Sequence, residues 1–280
     1  MLSQNKQFNN IKIHTQYSIC EGAIKIDELA DYCKQNKIKS IGIADSYNLC
    51  GALEFAEKIS KVGTQPIIGT QINLFSDNQI GKITLYATSE EGYKNLVKLS
   101  SSSYLKSNFA NEPYCEVDEL ISNNKDLIML TGNYNNFFGK LFYANKSKLF
   151  EKIIEKLASV FKDRLYLEIS RHAENQERNY ENYLFKISNL FDLPLIASQE
   201  VYYLNSNMAE AHDALICIGE KKFIDDQNRF RYSNQHYLKK DDEISKLYLD
   251  IPEALENNYN FPQRFNFKPK KSKPILPSIA

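Results

Sequence analysis

The sequence predicts a single-domain α/β protein folded as a distorted, TIM-like β/α barrel. Three observations carry this. Short apolar runs alternate with longer amphipathic ones along nearly the whole chain, as strands joined by helical crossovers do. The number of strand-like runs favours a closed ring, although periodicity by itself also fits an open doubly wound sheet. A polar residue stands at or just after the end of most of these runs, where β/α barrels keep their functional side chains.

The elements follow in order. NIKIH is a short strand, and IKIDELADYCKQNK a helix with Ile26, Leu29, Ala30 and Cys33 on one face. SIGIAD is the next strand, and ALEFAEKISKV a helix stopped by Gly63. PIIGTQINLF and KITLYAT are strands, and EGYKNLVKLSS is a helix whose serine run after Leu99 reads as its end and a loop. DLIMLTG, RLYLEIS and LPLIASQ continue the strand series, with helices starting near Lys148, Asn179 and Ala209. NIKIH, SIGIAD and LPLIAS are expected as inner strands. The ending KPKKSKPILPSIA is proline-rich and basic, and reads as a linker.

Composition narrows the function classes. The 280 residues are 42% hydrophobic and 25% charged, enough for a sizeable core. With 35 basic and 35 acidic residues the net charge is zero, so no global field draws this chain onto nucleic acid. Cys20, Cys33, Cys50, Cys115 and Cys217 are scattered, with no CxxC pair, which points to reduced thiols and a cytoplasmic setting. Neither a signal peptide nor a membrane-length apolar run is present, so no membrane contact is expected.

The candidate site comes from the strand ends: Lys12 and His14, Asp45, Gln71, Asn133, His172 and Glu200. Lys12 and His14 are two apart and so share one face of their strand. His212 and His236 read as structural, and neither Cys20 nor Cys50 has a base partner that would make it a nucleophile.

The segments IHTQYSICEGAIKI, IADSYNLCGALEFAEKISKVGTQPIIGTQ, LYLEISRHAENQ, LPLIASQEVYYLNSNMAEAHDALICIG and RYSNQHYLKKDDEISKLYLDIPEALENN, taken in order, resemble the N-terminal PHP (polymerase and histidinol phosphatase) domain of bacterial replicative DNA polymerase III alpha subunits. The resemblance implies an N-terminal tail over residues 1–8, a PHP-type barrel over 9–265, and a linker over 266–280 toward a polymerase core. Metal-bearing members of that family hold a cluster of divalent ions, and the resemblance implies that most of that ligand set is lost here. The first block carries an HxH pair, read here as Lys12-Ile13-His14. An Asp-His step reads Asp45-Ser46, a Glu position reads Gln71, and a Cys position reads Asn133. An Asn-His step reads Arg171-His172, and an Asp-x-His step reads Glu200-Val201-Tyr202.

His14, Asp45, His172 and Glu200 therefore remain as vestigial metal candidates, with Lys12, Ser46, Gln71, Asn133 and Tyr202 as pocket residues. Neutral amides and a lysine cannot replace bridging carboxylates. No multinuclear cluster is expected, and at most one zinc or manganese ion. The resemblance implies that magnesium belongs to a parent polymerase, held by palm aspartates, and nothing in these residues resembles that palm. His14 is expected to bond Asp45, His172 to sit in a partly exposed loop, and the Lys12 ammonium to pair with Asp45, Glu200 or both. No catalytic residue is assigned. The resemblance implies a scaffold bracing the polymerase core and docking the proofreading exonuclease subunit, with DNA met through the parent enzyme. The competing readings are a metal-dependent 3′-5′ exonuclease or phosphoesterase, and a free-standing histidinol-phosphatase-like enzyme.

Overall fold

The computed structural model describes residues 6–106 and 112–272. Its strands are β1 (Lys12–Ile13), β2 (Ser40–Ser46), β3 (Gln65–Ser76), β4 (Gln79–Ala87), β5 (Tyr114–Glu116), β6 (Leu127–Leu130), β7 (Leu165–Ser170), β8 (Leu195–Ser198) and β9 (Glu200–Val201). Its helices are α1 (Ile26–Asn36), α2 (Ala52–Lys61), α3 (Glu90–Lys106), α4 (Val117–Ser122), α5 (Phe137–Tyr143), α6 (Ser147–Phe161), α7 (Glu177–Phe191), α8 (Ala209–Glu220), α9 (Asp241–Lys246) and α10 (Pro252–Asn260).

The sheet runs β8-β7-β6-β4-β3-β2-β1-β9, with β5 pairing β3 off this path. Its two end strands, β8 and β9, are separated in the chain by Gln199 alone. The sheet must therefore curl until its edges meet, and the covalent chain joins the seam of a nearly closed barrel. NIKIH, SIGIAD and LPLIAS contribute β1, β2 and β8 to this ring, as expected.

The ring departs from all-parallel pairing at one strand. β4 runs antiparallel to both β3 and β6, while the other strand pairs are parallel. The cause is local. Asp77 and Asn78 both take positive φ, 49° and 56°, and close a two-residue hairpin between β3 and β4. Such a turn matches the twist of its strands and favours Asn and Asp. The serine run is also corrected: α3 continues through Ser100–Ser103 to Lys106. Ser102 and Ser103 donate their hydroxyls to the carbonyls of Leu99 and Ser100, so they stay satisfied within the helix.

Alternation along each strand separates two environments. On β7, Leu165, Leu167 and Ile169 face the helices, while Tyr166 and Glu168 face the barrel. Tyr86, Ile67, Ile128, Leu130 and Ile196 join Tyr166 in an apolar plug. Phe261 and Phe265 cap that plug, with ring centroids 5.5 and 6.2 Å from Tyr86. With one end filled by hydrocarbon, the polar residues of the interior gather at the other.

Candidate functional site

The mouth of the barrel is organised around Glu200. The β1–β9 register sets Lys12 directly opposite it. Its Oε1 accepts from Gln71 Nε2 at 2.7 Å and His14 Nε2 at 3.1 Å, and its Oε2 accepts from Asn133 Nδ2 at 2.9 Å. Lys12 Nζ lies 3.6 Å from the same Oε1 and donates to both oxygens of Glu168, at 3.0 and 3.3 Å. Lys12 and Glu168 have no solvent exposure, and the Glu200 side chain has 3%. Burial alone would lower the Lys12 pKa, but Glu168 and Glu200 outweigh it and hold it raised. Burial would raise the Glu200 carboxyl, yet Lys12 and His14 hold it well below its ordinary value.

A second, half-buried ammonium sits nearby. Lys82 Nζ donates to Glu21 Oε1 and Oε2 at 2.7 and 2.8 Å and to Ser46 Oγ at 2.9 Å, and lies 5.0 Å from the Tyr47 ring centroid. Ser46 completes the loop by donating to Glu21 Oε2 at 2.5 Å. Burial opposes the Lys82 charge, and Glu21 holds its pKa raised; that of Glu21 is correspondingly lowered.

Asp45 does not meet Lys12, contrary to one expected pairing. The β1–α1 loop reaches it first: Thr15 donates its backbone N–H at 2.6 Å and its hydroxyl at 2.7 Å, and Ser18 donates at 2.6 Å. Nor does His14 bond Asp45 directly. Its Nδ1 lies 3.2 Å from Ser18 Oγ. The Ser18 hydroxyl has one proton and stands between two atoms, Asp45 Oδ1 and His14 Nδ1. Burial raises the Asp45 pKa despite the bonds from Ser18 and Thr15.

His172 is buried and not a partly exposed loop residue. Its Nε2 accepts the backbone N–H of Glu200 at 3.1 Å, which places its proton on Nδ1, 3.2 Å from Glu177 Oε1. Its ring stacks on His236 at 4.0 Å and 7°. Burial and His236 drive its pKa well below the ordinary range, so it is neutral. His236 Nδ1 in turn donates to the Glu200 carbonyl at 3.0 Å. Tyr202 stacks on His14 with centroids 4.5 Å apart. Burial pushes the Glu177 carboxyl up to about 7.

The mouth thus brings together Lys12, His14, Gln71, Asn133 and Glu200 directly, and Asp45 through Ser18. His172 joins through the Glu200 backbone, and Ser46 belongs to the Lys82 pair. Glu168, Lys82, Glu21 and Ser18 were missed. Glu168 was visible as the one charge in LYLEIS, set opposite in phase to the leucines.

These groups do not fit a cluster of divalent ions. Each inward carboxylate already accepts from side-chain donors, and the lone pair of His172 Nε2 is taken by a backbone amide. Among the described residues no group of three or more His, Cys, Asp or Glu is arranged to hold a metal ion.

A nearly closed β/α barrel with its polar residues gathered at one mouth belongs to the class of folds that keep their sites at strand ends. Within that class the chain belongs to the PHP domain family, whose profile matches residues 10–172. It is similar to the DNA polymerase III subunit alpha of Caulobacter vibrioides, 33% identical over 99% of this chain and 25% of that protein. The subunit of Rickettsia bellii is 32% identical over 98% of this chain and 24% of that protein, and that of Haemophilus influenzae 29% over 99% and 24%. The chain spans about a quarter of the length of these relatives.

Proposed function

We propose that this chain is the PHP domain of a replicative DNA polymerase III alpha subunit, acting in the cytoplasm as a non-catalytic scaffold. In this reading it braces the polymerase core of the same chain and offers a docking site to the proofreading exonuclease, while primed DNA is handled by the parent enzyme. Similarity to alpha subunits along nearly the whole chain supports the polymerase setting. The observation that carries inactivity is the Lys12 ammonium lodged between Glu168 and Glu200. A metal-activated water needs a held ion with an open position, and a lysine cannot provide one. His14, Asp45, His172 and Glu200 are read as remnants of a ligand set, now used as hydrogen-bonding groups.

The test is hydrolysis of a phosphomonoester and of 3′-labelled DNA with zinc, manganese or magnesium supplied. Turnover is expected to match that of a His14→Ala/Asp45→Asn variant. Turnover that this variant abolishes would restore the phosphoesterase reading.

A further inference from the structure

We infer that the strap formed by residues 265–272 is a docking surface for the phosphate backbone of DNA. The inference rests on reading the chain as part of a replicative polymerase. It concerns a face of the domain formed by the strap, α2 and α3, and uses none of the residues that bond Glu200.

The strap is anchored by a two-residue alternation. Phe265 and Pro269 are buried and Phe267 half-buried, while Asn266, Lys268 and Lys270 are exposed. Gln65 Nε2 donates to the Phe265 carbonyl at 2.9 Å, and the Phe267 ring meets Tyr93 of α3 at 5.4 Å. The same alternation leaves Lys268 and Lys270, two residues apart, both exposed. Lys61 of α2 lines one groove beneath the strap, and Lys94 of α3 lines another of about 670 Å³.

Glu57 pairs Lys271 at 3.0 Å, and Glu90 pairs Lys94 at 3.2 Å. Lys61, Lys268 and Lys270 have no ion-pair partner among the described residues. A chain with equal numbers of acids and bases therefore concentrates three uncompensated ammonium groups on one face. They are point charges on exposed stems of the strap and α2. That arrangement suits a linear polyanion contacted without sequence preference, since phosphate contacts position and do not specify. Lys273 lies outside the described residues.

The test is fluorescence anisotropy of a labelled DNA duplex with the 280-residue chain between roughly 50 and 200 mM salt, the range over which phosphate contacts lose affinity steeply. Salt-dependent binding is expected. Lys268→Gln/Lys270→Gln should weaken it and flatten the slope of log affinity against log salt by about 1.8, at ~0.9 per contact removed. Circular dichroism confirms that the variant is folded. The inference fails if the wild-type chain shows no salt-dependent binding at the low end of that range. It fails equally if the variant keeps the wild-type slope, or if polyglutamate competes as well as DNA per unit charge. Capture of a separately expressed polymerase core is measured alongside. Capture without a DNA slope would sink the strap inference alone; loss of both would also sink the polymerase reading.

Discussion

Lys12→Met is expected to destabilise the protein by about 3–5 kcal/mol, because it leaves Glu168 and Glu200 buried without their cation. Methionine fills nearly the same volume, so the loss reports charge more than packing. The pH dependence has a definite sign. In the wild-type protein the depressed Glu200 pKa contributes stability that is present above the unfolded value of about 4.3 and lost as pH falls through the folded value. The raised Lys12 pKa contributes stability that is present below about 10.4 and lost as pH rises through its folded value. Between these limits both contributions are complete. Without the ammonium the two carboxylates repel, and uptake of a proton relieves them. The deficit of Lys12→Met should therefore be larger at pH 8 than at pH 5 in urea unfolding. Unchanged melting, or a deficit that grows on acidification, would refute this account.

Glu200→Ala should be comparably damaging, costing about 3–5 kcal/mol, as removal of one partner from a buried pair does. Glu200 is the shared acceptor for Gln71, His14 and Asn133 and the second carboxylate beside Lys12. Its loss strands the buried Gln71 amide, a missing partner there costing about 1–3 kcal/mol, and frees the half-buried Asn133 amide. Glu200→Gln keeps the shape but turns a donor toward Gln71 or Asn133, so it should rescue only part of the loss. Because Lys12 and Glu200 share one network, the double variant Lys12→Met/Glu200→Ala should fall short of the sum of the two singles. Additive losses in thermal and urea unfolding would show that the two do not act together.

Much of the ring was legible because burial imposes period on sequence. Helices expected near Lys148, Asn179 and Ala209 begin at Ser147, Glu177 and Ala209. The antiparallel β4 was not legible, since two residues, Asp77 and Asn78, redirect the chain where a crossover was expected. That reversal also explains why Lys82 was overlooked. The β3–β4 register sets Lys82 beside Asn73, so the N-terminal half of β4 reaches the mouth, and a search of C-terminal strand ends passes it by. Glu168 escaped for a related reason, lying inside its strand and not after it. His172 looked exposed because its cover, His236, comes from a segment 64 residues later, which no local pattern reveals. The pairing of Lys12 with Glu200 was anticipated; its stronger partner Glu168 was not.

Internal ammonium groups, with hydroxyl and amide donors, hold the inward carboxylates and leave no place for a cluster of divalent ions. Metal content per chain tests it most directly, measured by elemental analysis after the protein is saturated with zinc or manganese and passed through a desalting column. The account predicts no stoichiometric ion in the wild-type protein. More than one retained ion per chain, lost on combined replacement of His14 and Asp45, would contradict it.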